Sequence, residues 1–92
     1  MNISDTILIV DDEPLFRNSL LRLLQMRHSN VDSASTGVEA ISKIRSNCYD
    51  AVILDLILPD LEGMEIAQFI KDKDPYCAII ILTGQSSIIS AK

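Results

Sequence analysis

The stretch Ala51-Val52-Ile53-Leu54-Asp55-Leu56-Ile57-Leu58-Pro59 constrains the fold more than any other part of the sequence. It is apolar throughout except for one carboxylate. A run of this length, bounded by Asp50 on one side and Pro59-Asp60 on the other, has the pattern of a strand buried on both faces. An unpaired carboxylate is costly in the middle of such a strand, so Asp55 belongs at its end, where it meets solvent or a partner. Pro59 agrees, because it cannot continue a central strand and takes the chain out of the sheet within a few residues of Asp55.

The rest of the chain alternates around this strand. Thr6-Ile7-Leu8-Ile9-Val10 is a short β-branched run that ends in Asp11-Asp12-Glu13-Pro14. It predicts a buried strand, a loop, and a helix with Pro14 in its first turn, running to about Arg27. Phe16, Leu20, Leu23 and Leu24 fall on one face of that helix, with Arg17, Asn18, Arg22 and Gln25 mostly elsewhere. Val31 to Ser35 is half polar and suits the edge of a sheet. Thr36-Gly37-Val38-Glu39 has the form of a capping box, and the helix after it sets Ala40, Ile41, Ile44 and Cys48 on one stripe. Beyond the Asp55 strand, Pro59-Asp60-Leu61-Glu62-Gly63 carries turn chemistry. A third helix is expected from Met64 to about Asp72, with Ile66, Ala67 and Ile70 inward. Cys77-Ala78-Ile79-Ile80-Ile81-Leu82 is a fourth strand, ending in Thr83-Gly84. Ser86 or Ser87 then has the chemistry to cap a further helix.

The order β-α-β-α-β-α-β with two-sided apolar strands predicts an α/β protein: a doubly wound parallel sheet with helices on both faces and right-handed crossovers. All strand ends of such a sheet point one way, and ligands bind beyond the carboxyl ends where the strand order reverses. With the order 2-1-3-4, that reversal brings Asp11, Asp12 and Asp55 together, with Thr83 one strand over. Three ionised carboxylates in one crevice repel. At ~4 Å and an effective dielectric of ~20, each pair costs about 4 kcal/mol. Either one acid is protonated or a divalent cation binds. Oxygen donors in an open, partly hydrated crevice favour Mg²⁺ over zinc. Asp55 beside such a metal is placed to attack phosphorus as a nucleophile, giving an acyl phosphate, with the Thr83 hydroxyl on a phosphoryl oxygen.

Composition narrows the field. The chain has 92 residues, 48 % of them hydrophobic, which fits one globular domain. Thirteen acids against eight bases, a net charge of −5, disfavour direct nucleic-acid binding by this segment. No signal peptide and no bilayer-spanning window is visible, so a cytoplasmic chain without membrane attachment is expected. Cys48 and Cys77 have no metal spacing with each other or with His28, and both are expected to be small buried thiols. His28, at a helix C-terminus, suits the dipole or solvent and receives no catalytic role.

Leu8-Ile9-Val10-Asp11-Asp12-Glu13-Pro14, Leu54-Asp55 with Pro59 and Gly63, and Ile81-Leu82-Thr83-Gly84 together resemble the receiver domain of two-component response regulators. The likeness covers essentially the whole chain, residues 1–92, in order and spacing. It implies a flavodoxin-like receiver fold and a phosphorylation-dependent signalling module. Such a module takes a phosphoryl group from a histidine kinase or phosphotransfer protein and switches a downstream output. It is a self-phosphorylating acceptor rather than a turnover enzyme. By position, Asp55 would be the phosphoacceptor. Asp11, Asp12, Asp55 and the backbone carbonyl of Ile57 would hold Mg²⁺, and Thr83 would be the switch hydroxyl. Haloacid-dehalogenase-like phosphohydrolases, which also form an aspartyl phosphate, carry a second Asp two residues beyond the nucleophile. Here that position is Ile57.

The likeness also has a gap. The family continues with a complete fourth helix, a fifth strand bearing an aromatic switch residue, a lysine before a proline that pairs with the phosphate, and a fifth helix. This sequence looks like a receiver truncated after its fourth strand, with the fifth strand missing. The fourth strand is then expected to be an apolar edge, open to homodimer formation or strand exchange. The missing lysine favours an alternative in which the same fold is a phosphorylation-independent interaction domain.

Overall fold

The computed structural model describes residues 5–28 and 30–82, and the backbone of 88–91. Its elements follow the chain as β1 (Thr6–Val10), α1 (Pro14–Gln25), β2 (Asn30–Ala34), α2 (Gly37–Ser46), β3 (Ala51–Asp55), α3 (Gly63–Lys73), β4 (Ala78–Leu82) and β5 (Ile88–Ala91). The sheet order is β2-β1-β3-β4-β5. The first four strands pair in parallel, in the expected order 2-1-3-4.

The central strands separate two apolar layers by their two-residue period. Leu8, Val10, Val52, Leu54, Ile79 and Ile81 face α2 and α3, where Ala40, Ile44, Ile66, Ala67 and Ile70 meet them. Ile7, Ile9, Ala51, Ile53 and Leu82 face the other way, against Leu20, Leu21 and Leu24 of α1. The inward face of α3 is the expected one. That of α1 is not, since Phe16 and Leu23 stand 45 % and 58 % exposed and Leu21 takes a place inside. Arg17 also turns inward, for a reason given below.

The helix ends are set locally. Glu13 caps α1 by accepting from the Leu15 amide at 3.0 Å, and Pro14 occupies the first turn, where no amide is needed. Thr36 caps α2 by accepting from the Glu39 amide at 3.1 Å. Glu39 reaches one residue further back than a capping box requires, accepting from the Ser35 amide at 2.8 Å. The far end of α2 is held by α3: the Lys73 ammonium donates to the carbonyls of Ile44 and, at 2.7 Å, of Asn47. Because α2 ends at Ser46, Cys48 lies past its inward stripe and is exposed, correcting the expectation of a buried thiol. Tyr49 is buried instead, while Cys77 is buried as expected.

The C-terminal segment departs from expectation. Ile88–Ala91 is not the start of a helix but a strand, antiparallel to β4 in the register Leu82↔Ile88 to Ile79↔Ala91. The place of a fifth strand is therefore filled, and β4 is not an edge. Strand exchange through β4 has no open ladder to use. The physical reason is the one that made the edge hazardous: an uncharged apolar strand with free backbone donors and acceptors pairs with whatever β-prone segment is nearest. Here that segment is in the same chain.

Candidate functional site

Asp11 is the first residue beyond β1 and Asp55 the last of β3. The two strands are neighbours in register, Val10 beside Leu54. The strand order reverses between them, and because the two strands run parallel their carboxyl ends lie side by side. One carboxylate oxygen from each of Asp11, Asp12 and Asp55 lies within 4.8 Å of the others. The three acids differ in surroundings: Asp11 is buried, at 6 % exposure, Asp12 is exposed and Asp55 is half-buried.

None of the three is spent on capping α1, which has Glu13 for that purpose. Asp11 is fixed from both sides. Its amide donates to the Ala34 carbonyl at 3.1 Å, and its carboxylate accepts from the Glu13 amide at 2.8 Å. The Arg17 guanidinium donates to the Asp11 carbonyl at 3.0 Å. Burial pushes the Asp11 carboxyl above its ordinary range. The Glu13 amide opposes this, the charges of Asp55 and Asp12 add to it, and Arg17 relieves part of it. At Asp55, one oxygen accepts from the Ile57 amide at 3.1 Å. Among the described residues nothing donates to the other oxygen, which stays available for chemistry.

The loop after β3 is folded back on itself. Ile57 forms an isolated antiparallel bridge with Glu62, and the Gly63 amide donates to the Leu56 carbonyl at 2.9 Å. Gly63 has no room for a side chain, since a Cβ there would stand 2.6 Å from the Asp55 carbonyl oxygen and 2.6 Å from the Leu56 Cα. The far end of the loop reaches α2. The Asp60 carboxylate accepts from the amides of Gly37 and Val38 at 2.8 and 2.9 Å.

The structure thus brings Asp11, Asp12 and Asp55 together, with Ile57 two residues beyond. Thr83 lies outside the described residues. Sequence reasoning did not place Arg17 or Asp60. Arg17 sits one turn before Leu21 on the inward face of α1, and that spacing was its only signal. Asp60 in a turn sequence gave none.

The donor set fits a hard divalent cation. Three carboxylates and no nitrogen or sulfur ligand favour a metal of the Mg²⁺ or Ca²⁺ kind. A cation also offsets the charges of Asp55 and Asp12, which add to the effect of burial in raising Asp11. Lys43, Lys71 and Lys73 are all bonded elsewhere, so among the described residues Arg17 is the cation set against this cluster.

Comparison with known proteins identifies the family. The family model "Response regulator receiver domain" matches residues 7–92. Response regulator MprA of a Mycobacterium species (strain KMS) is 38 % identical over 82 residues, covering 89 % of this chain and 36 % of that protein. Transcriptional regulatory protein TrcR of Mycobacterium tuberculosis is 35 % identical over 83 residues, covering 90 % and 32 %. Among solved structures, response regulator TrrA of Thermotoga maritima, in complex with Mg(2+)-BeF, superposes with a TM-score of 0.79 at 43 % identity, covering 86 % of this chain and 69 % of that one. A CheY-like receiver domain protein of Methanospirillum hungatei superposes with a TM-score of 0.85 at 31 % identity, covering 91 % and 67 %. The chain spans about a third of the length of the curated relatives it matches. With a family model across nearly its whole length and a parallel sheet that gathers three acids at its carboxyl end, this chain belongs to the response regulator receiver domain family.

Proposed function

We propose that the domain takes a phosphoryl group onto Asp55 from a phosphorylated histidine of a kinase or phosphotransfer protein, and that Asp11, Asp12, Asp55 and the Ile57 carbonyl hold the Mg²⁺ this requires. The observation that carries the reading is the meeting of three carboxylates at adjacent strand ends, with one Asp55 oxygen left without a donor among the described residues. That oxygen attacks phosphorus. A new O–P bond forms as the P–N bond to the donor imidazole breaks, and its electron pair returns to the imidazole nitrogen. Bound Mg²⁺ supplies charge neutralisation for the phosphoryl oxygens and the acids. The Ile57 amide orients Asp55 through the oxygen that does not attack. Asp11, fixed by Glu13 and Ala34, keeps the inner acid in place. Arg17 holds the Asp11 backbone. Thr83 is assigned the hydroxyl that binds a phosphoryl oxygen. The domain works as an acceptor and switch, not as a turnover enzyme, and its setting is the cytoplasm. Among the described residues no helix is long and apolar enough to cross a membrane.

The alternative is an interaction domain that does not use phosphate. Every described lysine is engaged away from the acids, which favours it. One experiment separates the two. Incubation with acetyl phosphate and Mg²⁺ is expected to add one phosphoryl group, seen by intact-mass spectrometry, that is lost in mild base and absent from Asp55→Asn. Equal labelling of Asp55→Asn, or none of the parent, rejects the acceptor reading.

A further inference from the structure

We propose that Asp60 is a positioning residue for the metal-binding loop. By clamping the first turn of α2, it holds residues 56–62 in the shape that presents Ile57 beside Asp55. The inference rests on the Mg²⁺ reading given above and adds to it the part of the molecule that sets the loop.

The hydrogen bonds argue for it. Residues 56–62 close on themselves near β3 and α3, through Gly63 to Leu56, Ile57 to Glu62, and the Glu62 amide to the Glu65 carboxylate at 3.2 Å. Among the described residues the loop has one hydrogen-bonded tie to any other element, the pair from Gly37 and Val38 to Asp60. The pair spans 22 and 23 positions in sequence and uses both carboxylate oxygens. Packing runs alongside it: a Cβ on Gly37 would stand 2.7 Å from the Leu61 Cβ, so the neighbour of Asp60 already lies against the same turn. Two adjacent loop residues are thus docked on α2, one by charge-assisted hydrogen bonds and one by contact.

A simple helix cap is the competing explanation. Yet α2 has its own cap, Thr36, on the Glu39 amide. Asp60 serves only the first two amides, of which Val38 is exposed and readily hydrated while Gly37 is buried. Its removal therefore leaves the Gly37 amide without its acceptor and takes from the loop its hydrogen-bonded tie to α2, and melts in EDTA separate the first effect from the second. Groups that orient metal ligands from outside the coordination shell typically change affinity by about 10–100-fold when lost.

The test is Mg²⁺ titration by calorimetry on the whole chain, for the parent, Asp60→Ala, Asp60→Asn and Thr36→Ala, with thermal melts in EDTA. Asp60→Ala is expected to raise the half-saturating Mg²⁺ concentration about tenfold. Asp60→Asn, which keeps one acceptor oxygen, falls between it and the parent and serves if the alanine variant does not fold. Thr36→Ala removes the true cap, lowers the melting temperature in EDTA, and leaves Mg²⁺ affinity within about twofold of the parent, inside the scatter of uncoupled sites. Parent-like affinity in both Asp60 variants, or equal weakening by Thr36→Ala, overturns the proposal. A parent that takes up no Mg²⁺ overturns the metal reading itself, and the two failures are distinct.

Discussion

Gly63 and Asp55 are in contact where no side chain fits: a Cβ on Gly63 would meet the Asp55 carbonyl oxygen at 2.6 Å. Gly63 opens α3, and at a helix position alanine is ordinarily better than glycine by up to about 1 kcal/mol. Here packing opposes propensity, and the obstructing atom is backbone that cannot rotate away. Gly63→Ala is expected to lower stability by about 1–3 kcal/mol in urea denaturation. Gly37→Ala meets the Leu61 Cβ at 2.7 Å, an atom that no rotamer moves, so the loop or α2 must shift and this variant is expected to be destabilised as well. A Gly63→Ala chain as stable as the parent refutes the close approach.

The three clustered acids oppose one another when no cation is present. Asp12 is the exposed member, so its replacement removes charge without opening a cavity. Asp12→Asn is expected to raise the stability of the Mg²⁺-free protein by up to about 1 kcal/mol, the scale of exposed charge pairs. It also loses most of the stabilisation by Mg²⁺, which for the parent at a hundred times Kd amounts to about 2.7 kcal/mol. Paired melts in EDTA and in Mg²⁺ read both effects. A parent and variant that respond alike to Mg²⁺ would remove Asp12 from the site.

Two carboxyls give the stability profile opposite slopes. The Ser35 amide is the main cause that holds Glu39 below its ordinary range. Its folded-state value is depressed, so its contribution is present above the unfolded value of ~4.3 and fades as pH falls through the folded one. Burial does the reverse at Asp11. That carboxyl favours the folded state while protonated, and the benefit fades as pH rises through its raised value. Because a metal must displace the same proton, Mg²⁺ affinity is expected to climb with pH across that window. Glu39→Gln should flatten the acid limb of urea-measured stability, and Mg²⁺ titrations at a series of pH values upward from the ordinary aspartate value of ~3.9 follow the Asp11 window. An unchanged acid limb, or pH-independent affinity, counts against the respective assignment.

The two thiols are distinguishable by solvent. Cys48 is exposed, whereas burial pushes the Cys77 thiol up to about 11. Brief alkylation of the native protein is expected to modify Cys48 alone, and alkylation in denaturant to modify both. Peptide mapping after labelling decides the matter. Modification of Cys77 at the rate of Cys48 would contradict its burial.

The parts of the fold that were legible are those where one physical signal dominates. Uninterrupted apolar runs at Ile7–Val10, Val52–Leu54 and Ile79–Leu82 admit little but buried strands, and their alternation with helices fixes parallel pairing. Once pairing is fixed, Asp11, Asp12 and Asp55 have to meet. Where signals compete, reading the sequence was less sure. The leucines of α1 outnumber the places the sheet offers: the sequence predicts Phe16 and Leu23 on the inward face, whereas Leu21 packs there and Arg17 turns to the Asp11 carbonyl. The serines before Ile88–Ala91 predict a helix start, and the pull of an unpaired neighbouring strand does not show in local sequence. Asp60 looked like any turn residue, since its partners lie 22 and 23 positions away.

The double clasp on α2 bears on how the chain acquires its shape. A helix of ten residues is marginal in water by itself. The groups that grip its two ends, Asp60 at the first turn and Lys73 at the last, are both translated after it. Until the polypeptide has been made as far as α3 and that helix has settled on the sheet, α2 frays. Its amides should therefore gain protection against hydrogen exchange in step with those of α3, as one cooperative unit assembled late and not as a seed on which the rest condenses.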